Sequence, residues 1–168
     1  PDIFEADNGL GWRRVGVVVY ETGGGTGLIG MWKAFVEIKS MGWVNDPLPR
    51  MVAAQSTGCA PVVKAFQERQ RDTDFWENSD TVALGLNVPG PLGGAWILDI
   101  LRESKGIAIM IDEQRLKALT EEFNNLTSIN SSDEGGVVWG AYSHLKKVGW
   151  IKPKERSVIF ATGIERIK

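Results

Sequence analysis

Four short runs of apolar residues punctuate the chain: Val15 to Tyr20, Met51 to Ala54, Ile107 to Ile111 and Val158 to Ala161. They are continuous rather than alternating, the pattern of strands covered on both faces of a parallel sheet. Between them apolar residues recur at three- and four-residue spacing, which predicts amphipathic helices. Leu28, Ile29, Trp32, Phe35 and Val36 mark the first, and Val62, Val63, Ala65 and Phe66 a shorter second, with Pro61 suited to its first turn. Ile97, Leu98 and Leu101 mark a third. Leu116, Leu119, Phe123 and Leu126 mark a fourth, with Asp112 as a candidate N-cap, and Val138, Ala141 and Leu145 a fifth.

This alternation predicts an α/β fold: three αβα layers around a mostly parallel four-stranded sheet, Rossmann-like, with right-handed crossovers. Residues 1–168 read as a single domain. Four strands are few for this class, so the chain reads as the portion of a larger domain. Arg71 to Gly94, rich in Asp, Asn, Gly and Pro, reads as a long loop, and long loops in compact domains are often functional. No internal repeat is present.

Composition narrows the chemistry. With 43% apolar residues in 168, the chain can bury a real core. Nineteen Lys and Arg against 21 Asp and Glu leave no basic footprint for nucleic acid or a membrane surface. No apolar run approaches the ~18 residues of a membrane span. One cysteine, Cys59, and one histidine, His144, exclude an internal disulfide framework and multi-Cys or His-rich metal centres. The start at Pro1 has neither an initiator Met nor the form of a signal peptide, so a fragment and a cytoplasmic location are expected. The seven tryptophans are scattered and read as packing or interface residues.

The strongest local signal is Glu21-Thr22-Gly23-Gly24-Gly25-Thr26-Gly27, which leaves a predicted strand and opens a predicted helix. Successive residues without Cβ let backbone amides approach a ligand, and the helix N-terminus adds free N–H donors and partial positive charge. Together they predict a phosphate cradle. No lysine follows as in a nucleoside-triphosphate loop. Gly25-Thr26-Gly27-Leu28-Ile29-Gly30 satisfies the dinucleotide pattern, but the second strand runs into Gln55 where a ribose-binding acid belongs, and Asp46 lies before that strand.

The stretch from Gly23 to Phe35 resembles the phosphate loop of threonine synthases, members of the fold-type II pyridoxal phosphate enzymes. The likeness continues through Pro49-Arg50-Met51-Val52, Gln55, Gly58 to Phe66, Thr81-Val82-Ala83, Gly85-Leu86, Val88-Pro89, Pro91-Leu92-Gly93, Asp133-Glu134-Gly135-Gly136 and Ala161-Thr162-Gly163. It covers Gly11 to Lys168 and, taken in order, is specific. The resemblance implies the cofactor pyridoxal 5′-phosphate, with Gly23, Gly24, Gly25, Thr26 and Gly27 holding its phosphate and the Thr162 hydroxyl meeting its pyridine nitrogen. A neutral hydroxyl there implies a largely unprotonated ring and a weaker electron sink than a carboxylate would give. It implies a lyase that turns O-phosphohomoserine into threonine and phosphate.

Three departures accompany the likeness. Ile164-Glu165-Arg166-Ile167-Lys168 replaces a motif that usually carries a second glycine. Tyr20-Glu21 replaces a more usual Tyr-Pro. None of the ten lysines has the Ser-Phe-Lys-Asp context of the family's Schiff-base lysine, so no catalytic residue is expected in this chain. The chain therefore reads as the C-terminal half of such an enzyme, inactive alone. It is expected to expose an apolar face where the other half packs, and so to self-associate or form a homodimer. The alternatives are a non-catalytic module for phosphate or pyridoxal phosphate, or a half dependent on a partner. A third is a relative of threonine dehydratase. His144 reads as a surface residue and Cys59 as a structural one.

Overall fold

The structure, a computed structural model, describes residues 15–164. The closing residues Glu165, Arg166, Ile167 and Lys168 of the departing motif lie outside the described residues.

Among the described residues four strands form: β1 (Val17–Glu21), β2 (Arg50–Ser56), β3 (Ile107–Ile111) and β4 (Ser157–Phe160). All pair in parallel in the order β3-β2-β1-β4, with Val19 opposite Val52 and Ile159, and Ala53 opposite Ala108. The five predicted helices are α1 (Thr26–Ser40), α2 (Pro61–Gln67), α3 (Gly94–Glu103), α4 (Leu116–Thr127) and α5 (Asp133–Lys147). The expected three layers are present, and alternation along the strands explains them. Val18, Met51, Ala53 and Ala108 point to one face, against Trp32 and Phe35 of α1, Val62 and Val63 of α2, and Ile97, Leu98 and Leu101 of α3. Val17, Val19, Val52, Ala54 and Ile111 point to the other, against Leu116 and Leu119 of α4 and Val137, Val138, Ala141 and Leu145 of α5. Apolar runs on both faces are thus accounted for at β1 and β2. They are not at the edges: all four residues of β4 are half-buried and Met110 of β3 is exposed, because an edge strand has a neighbour on one side only.

Asp112 caps at one remove from its predicted helix. Its carboxylate accepts from the Gln114 N–H at 3.1 Å, holding the 3-10 turn Glu113–Arg115 from which α4 continues. The long loop from 71 to 94 contains the single 3-10 turn Leu84–Leu86. It is fixed by the Trp76 backbone N–H to the Pro89 carbonyl (2.9 Å) and the Trp76 indole N–H to the Gly58 carbonyl (3.1 Å). That anchoring lays Gly85 and Leu86 over the C-terminal ends of β1 and β4.

Candidate functional site

The predicted glycine loop lies where expected, between β1 and α1. Gly25 sits at φ +85° as the N-cap of α1 and has no side chain to close the helix end, so the first-turn N–H groups stay available. No acidic residue stands in that first turn to occupy them. The loop has no room for side chains except at one place. A Cβ on Gly23 would come 2.6 Å from the Gly85 carbonyl oxygen, one on Gly25 would strike Ile97, and one on Gly27 the Tyr20 phenol. A Cβ on Gly24 would meet nothing within 4 Å. Gly24 therefore faces open space, and that space is the pocket.

The pocket holds about 220 Å³ and is lined by Tyr20, Glu21, Gly23 to Gly27, Gly85, Leu86, Glu134, Thr162 and Gly163. All six residues singled out from the sequence, Gly23, Gly24, Gly25, Thr26, Gly27 and Thr162, are brought together here. Roughly 300–1,000 Å³ is usual for a small-molecule site, and the pocket of the described residues is smaller than that. It stands at the carboxyl ends of β1 and β4, the position open parallel sheets give their ligands.

Two residues of the pocket carry more than the sequence reading assigned to them. Glu21 is 4% exposed, and its Oε1 accepts from both the backbone N–H of Thr162, at 2.8 Å, and the Thr162 hydroxyl. Its Oε2 is buried without a hydrogen-bond partner. Glu134, at the start of α5, accepts from the Gly85 N–H at 2.7 Å and from the Ser132 hydroxyl, so it pins the long loop to the site. Burial pushes the Glu21 carboxyl up from the usual glutamate range; the bonds from Thr162 partly oppose this, and the Glu134 charge adds to it. Burial, then the neighbouring Glu21, likewise raises the Tyr20 phenol.

This shift has a consequence for stability. As pH rises past the ordinary glutamate range the unfolded chain loses its Glu21 proton first, while the fold still holds it. The stability that Glu21 contributes is thus complete below its unfolded pKa and lost as pH rises through the folded one. Glu21→Gln lacks that titration. Wild type is expected to lose thermal stability relative to Glu21→Gln as pH is raised from about 4 to about 8, with all other carboxyls common to both. A difference in melting temperature that stays flat over that range sinks the assignment.

The remaining candidates are outside the pocket. Lys33 is exposed and pairs with Glu37 one turn on along α1. No lysine among the described residues lines the site. His144 lies in the last turn of α5. Cys59 is fully buried, and burial raises its thiol, opposed by the Val88 backbone, so it is held away from the reactive thiolate form. Gln55, read as a missing ribose acid, is fully buried and bridges the elements beneath the loop. Its amide N–H donates to the Thr22 carbonyl at 2.9 Å, and its carbonyl accepts from the Val62 and Val63 N–H groups at 3.0 and 3.1 Å. The tryptophans pack as expected in part. Trp32 is buried and Trp150 lies beneath the Arg50 guanidinium, whereas Trp43 and Trp96 are exposed.

Comparison with known proteins shows the family and the fold. A family model described as "Pyridoxal-phosphate dependent enzyme" matches residues 3–163. The chain is 26% identical over 160 residues to a threonine synthase of Methanocaldococcus jannaschii, covering 95% of this chain and 39% of that protein. It is 25% identical over 141 residues to a cysteate synthase of Methanococcoides burtonii, covering 84% of this chain and 34% of that one. Among solved structures, the processed form of threonine deaminase isoform 2 from Solanum lycopersicum superposes with a TM-score of 0.69 at 18% identity, over 90% of this chain and 41% of that chain, a likeness of fold. The chain thus spans about two fifths of the length of the curated relatives it matches.

Proposed function

The chain belongs to the pyridoxal-phosphate dependent enzyme family, and from that membership we propose that its pocket is the phosphate-holding side of a threonine synthase-like active site. The observation that carries this is the Gly23–Gly27 loop at the N-terminus of the 15-residue α1, with Gly24 facing the open pocket. In this reading the amides of Gly23 to Gly27 and the Thr26 hydroxyl hold the cofactor phosphate, and Thr162 meets the ring. When bound, the cofactor supplies an electron sink next to the amino-acid substrate. The protein's residues bind and orient it, and Glu134 keeps the Gly85–Leu86 turn closed over one side.

The reaction proposed for the whole protein is conversion of O-phosphohomoserine to threonine and phosphate. The 26% identical threonine synthase over 95% of the chain supports it, together with the ordered motifs from Gly23 to Gly163. The family's cofactor-bearing lysine then comes from outside this chain, and the exposed Leu84, Leu92 and Trp96 are surface on which a complementary half or a second copy packs. The cysteate synthase match supports a second reading, a synthase acting on another amino acid through the same loop.

Gly24→Asp tests the loop. A Cβ there meets nothing within 4 Å, so the melting temperature is expected to stay close to that of wild type. It places bulk and negative charge where the phosphate lies. Affinity for pyridoxal 5′-phosphate, measured by equilibrium dialysis, is expected to fall at least about tenfold, the equivalent of ~1.4 kcal/mol. An unchanged affinity would remove the loop from cofactor binding.

A further inference from the structure

The carboxyl of Glu21 is built into the pocket wall in an unusual state of half-satisfaction. One oxygen takes both donors of Thr162; the other is buried without a hydrogen-bond partner, with the Gly163 backbone N–H the next group to bear on the carboxyl, and the residue lines the cavity. A buried carboxyl oxygen without a partner carries a desolvation penalty that a ligand group can relieve. Among the described residues no lysine, arginine or histidine lines the pocket, and no ion pair reaches Glu21. The charged and titratable groups facing it are Glu134 and Tyr20, neither of them a cation at any pH. Among the described residues nothing at the pocket supplies a balancing charge, and a cationic group on a ligand would.

The Thr162 hydroxyl fixes where that charge sits. A threonine hydroxyl has one proton and two lone pairs. Here the proton is committed to Glu21 Oε1, so toward a ligand Thr162 presents lone pairs only. An unprotonated pyridine nitrogen is itself an acceptor and gains nothing from a lone pair. A protonated one is a donor and a cation, and satisfies both Thr162 and the negative charge behind it.

The geometry points to Glu21 as a positioning residue that, through Thr162, selects the protonated ring of a pyridine cofactor and serves as its counter-charge. This rests on the reading of Thr162 as the ring's partner. It reverses the expectation from a lone hydroxyl, which is an unprotonated ring and a weak electron sink. The proton balance is that of binding the ring in its protonated form: the pyridinium N–H stays intact, no bond at Glu21 breaks, and a ring that is unprotonated when free takes its proton from solvent. The immediate benefit is a ring with the electron demand of a carboxylate-paired one, on a site whose contacting side chain is neutral.

The test is the 15N NMR shift of ring-15N-labelled pyridoxal 5′-phosphate bound to the full chain, followed from about pH 7 to about pH 9, a range that brackets neutral working conditions. Wild type is expected to show the pyridinium shift throughout, and Glu21→Gln, which keeps an acceptor for Thr162 but no charge, the shift of unprotonated pyridine. Thr162→Val carries the same comparison should the glutamine variant fail to fold, and is expected to lose the pyridinium signal too. An unprotonated ring in bound wild type, or a pyridinium that survives both substitutions, overturns the proposal and leaves the phosphate-loop reading standing. Absence of any bound signal in wild type, at concentrations where Gly24→Asp is equally empty, overturns the loop reading and this one with it.

Discussion

Replacing Gln55 with leucine is expected to lower the unfolding free energy by about 3–4 kcal/mol, the largest effect of any single substitution considered for this chain. Gln55 is fully buried and each end of its amide is engaged. Its carbonyl accepts from Val62 and Val63, two of the N–H groups at the start of α2 that have no partner within the helix. Ala60, at the N-cap, contributes no side-chain bond, so Gln55 performs the cap from a neighbouring strand. Its N–H group takes the Thr22 carbonyl at the entrance to the glycine loop. Leucine matches the volume and abandons three buried polar groups, each costing roughly 1–3 kcal/mol when left unmade, less what local relaxation recovers. Urea unfolding measures this directly as a drop in midpoint at constant slope. A loss below about 1 kcal/mol would mean that water replaces the amide and that the cap is not needed. Because the same side chain ties α2 to Thr22, cofactor affinity should decline along with stability.

Gly136→Ala is expected to destabilise by about 2–3 kcal/mol, the opposite of what helix propensity alone gives. In an exposed helix interior, glycine to alanine stabilises by roughly 0.5–1 kcal/mol. At Gly136 the added methyl would stand 2.8 Å from the Leu116 carbonyl oxygen and 2.9 Å from the Thr120 nitrogen, both backbone atoms of α4. Neither can rotate away, so the helices would have to part. Their parting strains the Thr120 hydroxyl, 2.9 Å from Asp133 Oδ1 in the first turn of α5. Gly30 in α1 is the matched control, exposed and with nothing within 4 Å of its missing Cβ. Gly30→Ala should therefore raise the melting temperature and Gly136→Ala lower it. Two shifts of the same sign would show that close helix approach does not govern this position.

Much of the fold was legible because its signals are local. Each apolar run and each three-and-four spacing is carried by neighbouring residues, and all four strands and five helices stand where those patterns put them. The glycine loop was legible for the same reason, since its sequence lies between one strand and one helix. What sequence could not show is which distant groups meet. The order β3-β2-β1-β4 is not written in continuous apolar runs, which carry no preferred neighbour. Glu21 and Thr162 are 141 residues apart, and Gly85 and Glu134 are 49. Glu21 stood out only as a charge where proline is usual, with nothing to indicate that it turns to Thr162. Gln55 stood out as the absence of a ribose acid, whereas its task is to hold a helix end. The local half of the site was readable; the half made by long-range pairing was not.

That pairing also sets when the pocket comes into being. β1 and β4 are immediate neighbours in the sheet, yet one begins the described chain and the other ends it. The wall formed by Glu21 and Thr162 closes only after every intervening crossover has been laid down, a loop closure with a high entropic cost and little early reward. A chain emerging from the ribosome has its glycine loop long before it has a complete pocket. A ligand gripped between β1 and β4 thus recognises the two strands once paired and neither of them alone. It leaves the forward folding rate alone and slows their separation, acting as a latch between β1 and β4.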